Sequence, residues 1–169
     1  MKFTLYNRDD CPFCWKVRLA AQFAGVEFET ITVERGTKNI EVASLNPGGT
    51  VPVMMADSFV LWDSSLICLY LADEFKNANL LPEDAAHRAQ ILQICHYSDQ
   101  HFGKAIFPYI TEMRKPDPDE RDKQIILQSK ERVEYALGWL STFPSLLGGI
   151  ESPNLMDCTF FPRFALAEP

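Results

Sequence analysis

Cys11 and Cys14 flank a Pro-Phe pair in the stretch DDCPFCWK, and this C-P-F-C is where chemistry is first expected. Two thiols so spaced exchange disulfides, supply half the ligands of a zinc ion, or pack as small apolar groups. A zinc site needs four protein ligands, or three and a water. Cys68, Cys95 and Cys158 stand alone, and His87, His96 and His101 are separated by 9 and 5 residues, so no second ligand pair is seen and no metal is expected. The redox reading gains from its neighbours. An apolar run, Lys2 to Tyr6, precedes the motif, and Pro12 opens a helix behind it, where a missing N–H costs nothing. Cys11 is then close to a helix N-terminus, whose free N–H groups and dipole favour a thiolate. An ordinary thiol has a pKa of ~8.5, and helix N-termini lower it to ~3.5–7.5. Cys11 is the expected attacking sulfur, and Cys14, one turn inside, the resolving one. Asp9 and Asp10 oppose a thiolate, whereas Arg8, Lys16 and Arg18 favour it; exposed charges act weakly through water and salt.

Two more short motifs carry polar chemistry. Val51-Pro52 begins a strand-like run, and in a sheet of thioredoxin type a cis bond there turns the chain sharply. It leaves the preceding backbone N–H and C=O open to an extended peptide. Only ~5–6% of X-Pro bonds are cis, so the position takes its meaning from C-P-F-C upstream. Asp63 and Ser64 are helix-capping types at the head of DSSLICLYL. A carboxylate and a hydroxyl beside a helix N-terminus also suit a zwitterionic amino-acid group, the hydroxyl and N–H groups facing its carboxylate and Asp63 its ammonium.

The elements that must position these residues fall into two textures. Up to about Phe75, strand and helix patterns alternate: a strand at Lys2–Tyr6, a helix from Pro12 to Ala24, and a β-branched strand at Glu27–Val33. A short irregular or helical link follows, then a hairpin of VPVMMA and FVLW, then a helix from Asp63 to Phe75. Beyond Pro82-Glu83-Asp84 the pattern is helical throughout, with helices at Asp84 to about Phe107 and Asp119 to about Thr142, and a last one opened by Asn154 with Asp157 as its reciprocal cap. Two domains are expected, 1–76 and 85–169, with a linker at about 77–84.

Composition narrows the class. The chain of 169 residues is 47% hydrophobic, enough for a sizeable core, and its net charge of −7 gives no footprint for nucleic acid or an anionic membrane. Asp9 and Asp10 interrupt the N-terminus before a signal-peptide core develops, and the run Leu66 to Ala72 is far short of the ~20 residues of a membrane span. Five cysteines without dense spacing do not suggest a secreted disulfide framework. A soluble, cytoplasmic protein is expected.

C-P-F-C after the first strand, NPGGTVPVM (Asn46 to Met54) and DSSLICLYL (Asp63 to Leu71) together resemble the N-terminal domain of the cytosolic glutathione transferase superfamily. The Cys-Pro-aromatic-Cys form is similar to the glutaredoxins that share this fold and to cysteine-type, omega-like transferases. GGIESPNLMDCTFFP resembles the small-x-x-Asp cap of the family's sixth helix. The resemblance implies an α/β thioredoxin-like N-terminal domain followed by an all-α C-terminal domain, the glutathione transferase fold, C-terminally short because the chain stops at Pro169. It also implies an enzyme with glutathione as cosubstrate and disulfides or glutathionylated molecules as partners. The activity implied is glutathione-dependent thiol–disulfide exchange; a transferase acting on small electrophiles and a non-catalytic interaction protein are the alternatives. The protein would be a homodimer, or a monomer if glutaredoxin-like.

Carried over residue by residue, Cys11 would form a mixed disulfide with glutathione and Cys14 would resolve it. The Val51 backbone, held by Pro52, would pair with the tripeptide's cysteinyl backbone, and Asp63 and Ser64 would hold its γ-glutamyl end. Lys38 would reach the glycine carboxylate, and Phe13 would line the rim. Tyr97, His101, Phe102 and Tyr109 lie on or after the helix that borders the family's second-substrate cleft, most of them expected as core or rim.

Overall fold

The structure is a computed structural model that describes residues 2–36, 38–143 and 153–168. Strand β1 (Thr4–Asn7) lies inside a four-stranded sheet of order β2-β1-β3-β4. It pairs in parallel with β2 (Glu29–Thr32), Leu5 opposite Thr30, and antiparallel with β3 (Val53–Met55), Leu5 opposite Met54. Strand β4 (Val60–Trp62) closes the edge as the expected hairpin, with Ala56 N–H bonded to the Phe59 carbonyl at 2.9 Å.

The period of two along β1 sorts its side chains into two cores. Leu5 is buried with Met54 beneath helices α1 (Pro12–Phe23) and α3 (Ser64–Glu74), which contribute Val17, Ala20, Ile67 and Leu71. Tyr6 faces the other way, into a smaller cluster with Val33, Val53 and Val42 of α2 (Ile40–Leu45). The chain leaves α1 through Gly25 at φ +67°, a left-handed turn that favours a residue without Cβ.

After Leu80 and Leu81, both buried, the described elements are all helices. Helix α4 (Ala85–Tyr97) is capped by Asp84, whose carboxylate accepts the His87 N–H at 2.8 Å. It runs through a π-helical turn at Ser98–Phe102 into α5 (Gly103–Met113). Pro108 suggests a stop near Phe107, yet the helix continues to Met113. Ile106 and Ile110, on either side of the proline, are buried with Phe102 and Ala136, and that packing outweighs one lost backbone bond. Helix α6 (Lys123–Leu140) packs beside α5, and α7 (Leu155–Ala167) returns to α1 and α4. The cap read at Asn154 is present: its side chain accepts the Met156 N–H at 2.7 Å, and Asp157 accepts the Asn154 N–H at 2.8 Å. Residues 144–152, including Gly148-Gly149 of the cap motif, lie outside the described residues.

Leu155, Met156 and Cys158 of α7 belong to the same core cluster as Leu5 and Met54. The thioredoxin-like layer and the helical half therefore share apolar packing, and the cleft between them holds the candidate site. Among the described residues, no helix is long and apolar enough to cross a membrane.

Candidate active site

Cys11 is the N-cap of α1, in extended conformation at φ −95° and ψ 119°, with Pro12 as first helical residue. It is 4% exposed, and Cys14 is fully buried. Cys11 nonetheless lines a cleft of about 900 Å³, where Phe13, Val51, Pro52, Asp63 and Ser64 join it. Chain segments 40 and 50 residues apart meet there because β1 and β3 are neighbours and α1 lies beside α3.

The two thiols are unlike. A hydrogen bond from the Cys14 thiol lowers the pKa of Cys11 most, against the opposing effect of burial; backbone N–H groups of Cys14 and Phe13 and the charge of Arg8 add to it, bringing Cys11 to about 6. Donation to Cys11, burial and the neighbouring negative charge push Cys14 far above the ordinary thiol range. Alkylation of the reduced protein by iodoacetamide is thus expected at Cys11, with a half-maximal rate near pH 6 and Cys14 unreacted. A rate still rising steeply above pH 8 would contradict this arrangement.

The aspartates before the motif are turned to other partners. Asp9 pairs with Arg18 at 3.0 Å and accepts from Asn7 at 2.8 Å; Asp10 pairs with Arg8 at 2.7 Å and Arg35 at 3.6 Å. Their charges are answered within a few ångströms, so the opposition read from the sequence is largely cancelled. Tyr6, at the end of β1, donates to Glu41 at 2.5 Å and does not line the cleft, so its hydroxyl is not placed to activate a thiol there.

The Val51–Pro52 peptide bond is cis. Asp63 has φ +75°, a conformation that costs a non-glycine residue about 1–3 kcal/mol and recurs at ligand sites. Its carboxylate accepts the N–H groups of Ser65 at 2.8 Å and Leu66 at 3.3 Å, which sets Ser64 and the start of α3 against the cleft. Phe13 is 38% exposed at the rim. Lys38 is exposed and does not line the cleft.

The far wall is formed by other residues of the stretch that holds Tyr97, His101, Phe102 and Tyr109. Tyr97 stacks on Trp139 with ring centres 4.0 Å apart, and His101 stacks on Tyr97. Phe102 is fully buried, and the Lys130 ammonium lies 5.9 Å from the Tyr109 ring centre. None of the four lines the cleft; His96, Gln100, Gly103, Lys104 and Phe107 do. Each residue turns an α-helix by roughly 100°, so the π turn, which fits an extra residue into its circuit, rotates the face that follows.

Beneath this wall lies a buried charge cluster. The Lys16 ammonium meets Asp99 at 2.8 Å and Ser65 Oγ at 3.0 Å, and Ser65 donates to Asp99 at 2.9 Å. Arg163 of α7 takes the second Asp99 oxygen, donates to the Thr159 carbonyl, and places its guanidinium carbon 5.2 Å from the Phe13 ring centre. Lys16 and Arg163 side chains are 1% and 2% exposed. Among the described residues, no group of three or more His, Cys, Asp or Glu is placed to hold a metal ion.

Residues 10–74 match the family model described as glutathione S-transferase, N-terminal domain. Glutathione S-transferase 1 of Dianthus caryophyllus is 36% identical over 91 residues, 52% of this chain and 41% of that protein. A Stringent starvation protein A homolog of Pasteurella multocida (strain Pm70) is 24% identical over 94% of this chain and 72% of its own length. The theta class glutathione S-transferase from Xanthomonas axonopodis pv. citri, solved with glutathione bound, shares the fold with a TM-score of 0.82 at 24% identity, over 94% of this chain and 78% of that one. Residues 10–74 are thus similar to a glutathione S-transferase N-terminal domain, and the chain shares the fold of solved glutathione S-transferases. The thioredoxin-like layer holds the matched residues, and the helical half that follows has the fold of the Xanthomonas structure. The chain spans less than half the length of the Dianthus relative.

Proposed function

We propose that this chain is a glutathione-dependent thiol–disulfide oxidoreductase of the cysteine-type, glutaredoxin-like branch of the superfamily, working through Cys11. The observation that supports this most is a buried thiol at a helix N-terminus, held at a pKa of about 6 by a donor thiol and open to the cleft. Relatives named glutathione S-transferases support glutathione as cosubstrate. The tripeptide would lie along Val51–Pro52 with its γ-glutamyl end at Asp63, Ser64 and the N-terminus of α3.

In the first step the Cys11 thiolate attacks the glutathione sulfur of a mixed disulfide, forming Cys11–S–S–glutathione and expelling the substrate thiolate, which takes a proton from water. A glutathione thiolate then attacks the glutathione sulfur held on Cys11, yielding glutathione disulfide and regenerating the Cys11 thiolate. Cys14 offers a second exit. Its pKa is raised mainly by its bond to Cys11, together with burial and the Cys11 charge, and that bond and charge vanish once Cys11 is bound in a disulfide. The resolving thiol is therefore released from restraint by the intermediate it attacks.

A steady-state comparison tests the assignment. Reduction of a glutathionylated peptide should exceed conjugation of a chloronitrobenzene; conjugation running faster would make the chain a conjugating transferase instead. Absence of glutathione binding in a titration would favour a non-catalytic interaction protein. Cys14→Ser should keep the monothiol route with a low Cys11 midpoint, because a hydroxyl still donates, while Cys14→Ala should raise that midpoint by about one unit or more. Equal midpoints in the two variants would remove Cys14 from the role of donor.

A further inference from the structure

The thioredoxin-like layer does not by itself supply all the charge around Cys11. We propose that Arg163, on the last described helix, is a positioning residue for the Cys11 thiolate: it props the Phe13 ring at the cleft rim and sets a buried positive charge against the thiol site. The inference concerns the thiol itself and does not depend on glutathione being the substrate.

Its geometry is closely built. Arg163 is held on one side by Asp99 and on another by the Thr159 carbonyl, and its guanidinium lies over Phe13, which stands between the two cysteines in sequence. A cation over an aromatic face is attractive, more so when both are shielded from water. Room for the guanidinium comes from Gly103, where an added Cβ would stand 2.9 Å from Arg163 Nε and 3.1 Å from the Ser98 carbonyl. Asp99 answers two cations at once, Lys16 and Arg163, so the cluster carries one net positive charge beneath the cleft. A charge that is 2% exposed is screened far less by salt than one at the surface.

The other groups around Cys11 carry both signs. Arg8, after β1, is itself paired with Asp10. Cys14 donates from α1, and Asp63 at the head of α3 has its carboxylate turned to two backbone N–H groups. Glu34 follows β2 along the cleft, and His96 and Lys104 line its opposite wall. The charge of Cys11 is in turn among those that favour the charged form of Arg163, against its burial.

The test is the pH dependence of Cys11 alkylation, with folding checked by circular dichroism. Arg163→Gln should raise the midpoint by about one unit, which lowers the rate about fivefold at pH 6 and leaves it unchanged at pH 9. Arg163→Lys, which keeps the charge but loses the flat fork, should restore a midpoint close to that of the parent. A folded Gln variant with an unmoved midpoint would overturn the proposal. If the Gln variant does not fold, the Lys variant decides: a midpoint near the parent's supports the charge role, and a rise of a full unit overturns it. Because iodoacetamide needs no glutathione, failure here is separate from failure of the oxidoreductase assignment.

Discussion

A Cys11→Ser protein is expected to lose disulfide exchange by on the order of 10³-fold or more, with its fold intact. Serine is nearly isosteric with cysteine and fits the N-cap position that Cys11 occupies, so α1 should start where it did. The hydroxyl is not ionised near neutral pH and cannot form the covalent intermediate. Cys14 cannot take over, because it is fully buried and its burial persists when Cys11 is gone. Cys68, Cys95 and Cys158 are likewise buried, and desolvation pushes each above the ordinary thiol range. The check is turnover of a glutathionylated peptide by the purified variant. Activity within tenfold of the parent would remove Cys11 as nucleophile.

Asp99→Asn should destabilise the fold by about 3–5 kcal/mol, the usual cost of stranding buried charges, here Lys16 and Arg163. Urea denaturation at pH 7 measures this. The sign of its pH dependence is also fixed by the structure. Burial alone would raise the Asp99 carboxyl, but Lys16 and Arg163 beside it outweigh burial and hold it below the ordinary carboxylate range. A folded-state pKa below the unfolded value of ~3.9 stabilises the fold above that value and is lost as pH falls through the folded one. The gap between parent and variant should therefore be widest near neutral pH and shrink below about pH 4. A cost under 1 kcal/mol, or a gap constant from pH 3 to pH 7, would show that the cluster does not hold α1, the π turn and α7 together.

Much of the thiol side of the cleft was legible in the sequence because its signals are local. Cys11 and Cys14 share one helical turn, the cis bond lies between adjacent residues, and Asp63 caps the helix it opens. The last helix was equally plain, since Asn154 and Asp157 bond within three residues. What escaped lies in pairs that only the fold brings together. Lys16 and Asp99 are 83 residues apart in sequence, and Asp99 and Arg163 are 64 apart. Nothing in FFPRF distinguishes a buried arginine from a solvated one. Tyr97, His101, Phe102 and Tyr109 read mostly as core or rim, since aromatic rings serve a core as well as a cleft, and the residues that do line the far wall carried no local signal. Gln100, Lys104 and Phe107 face the cleft, whereas Tyr97 packs on α6 and Phe102 on α7. Asp9 and Asp10 looked unfavourable beside Cys11 because composition shows charges but not the arginines they turn toward.

Mass spectrometry of the reduced protein exposed to oxidised glutathione, followed by peptide mapping, bears most directly on the role given to Cys11. The Cys14→Ser variant should carry one glutathione, on Cys11, while the parent should pass through the same adduct to a Cys11–Cys14 disulfide with release of glutathione. An unmodified Cys11 in both proteins, or glutathione found only on another cysteine, would contradict it.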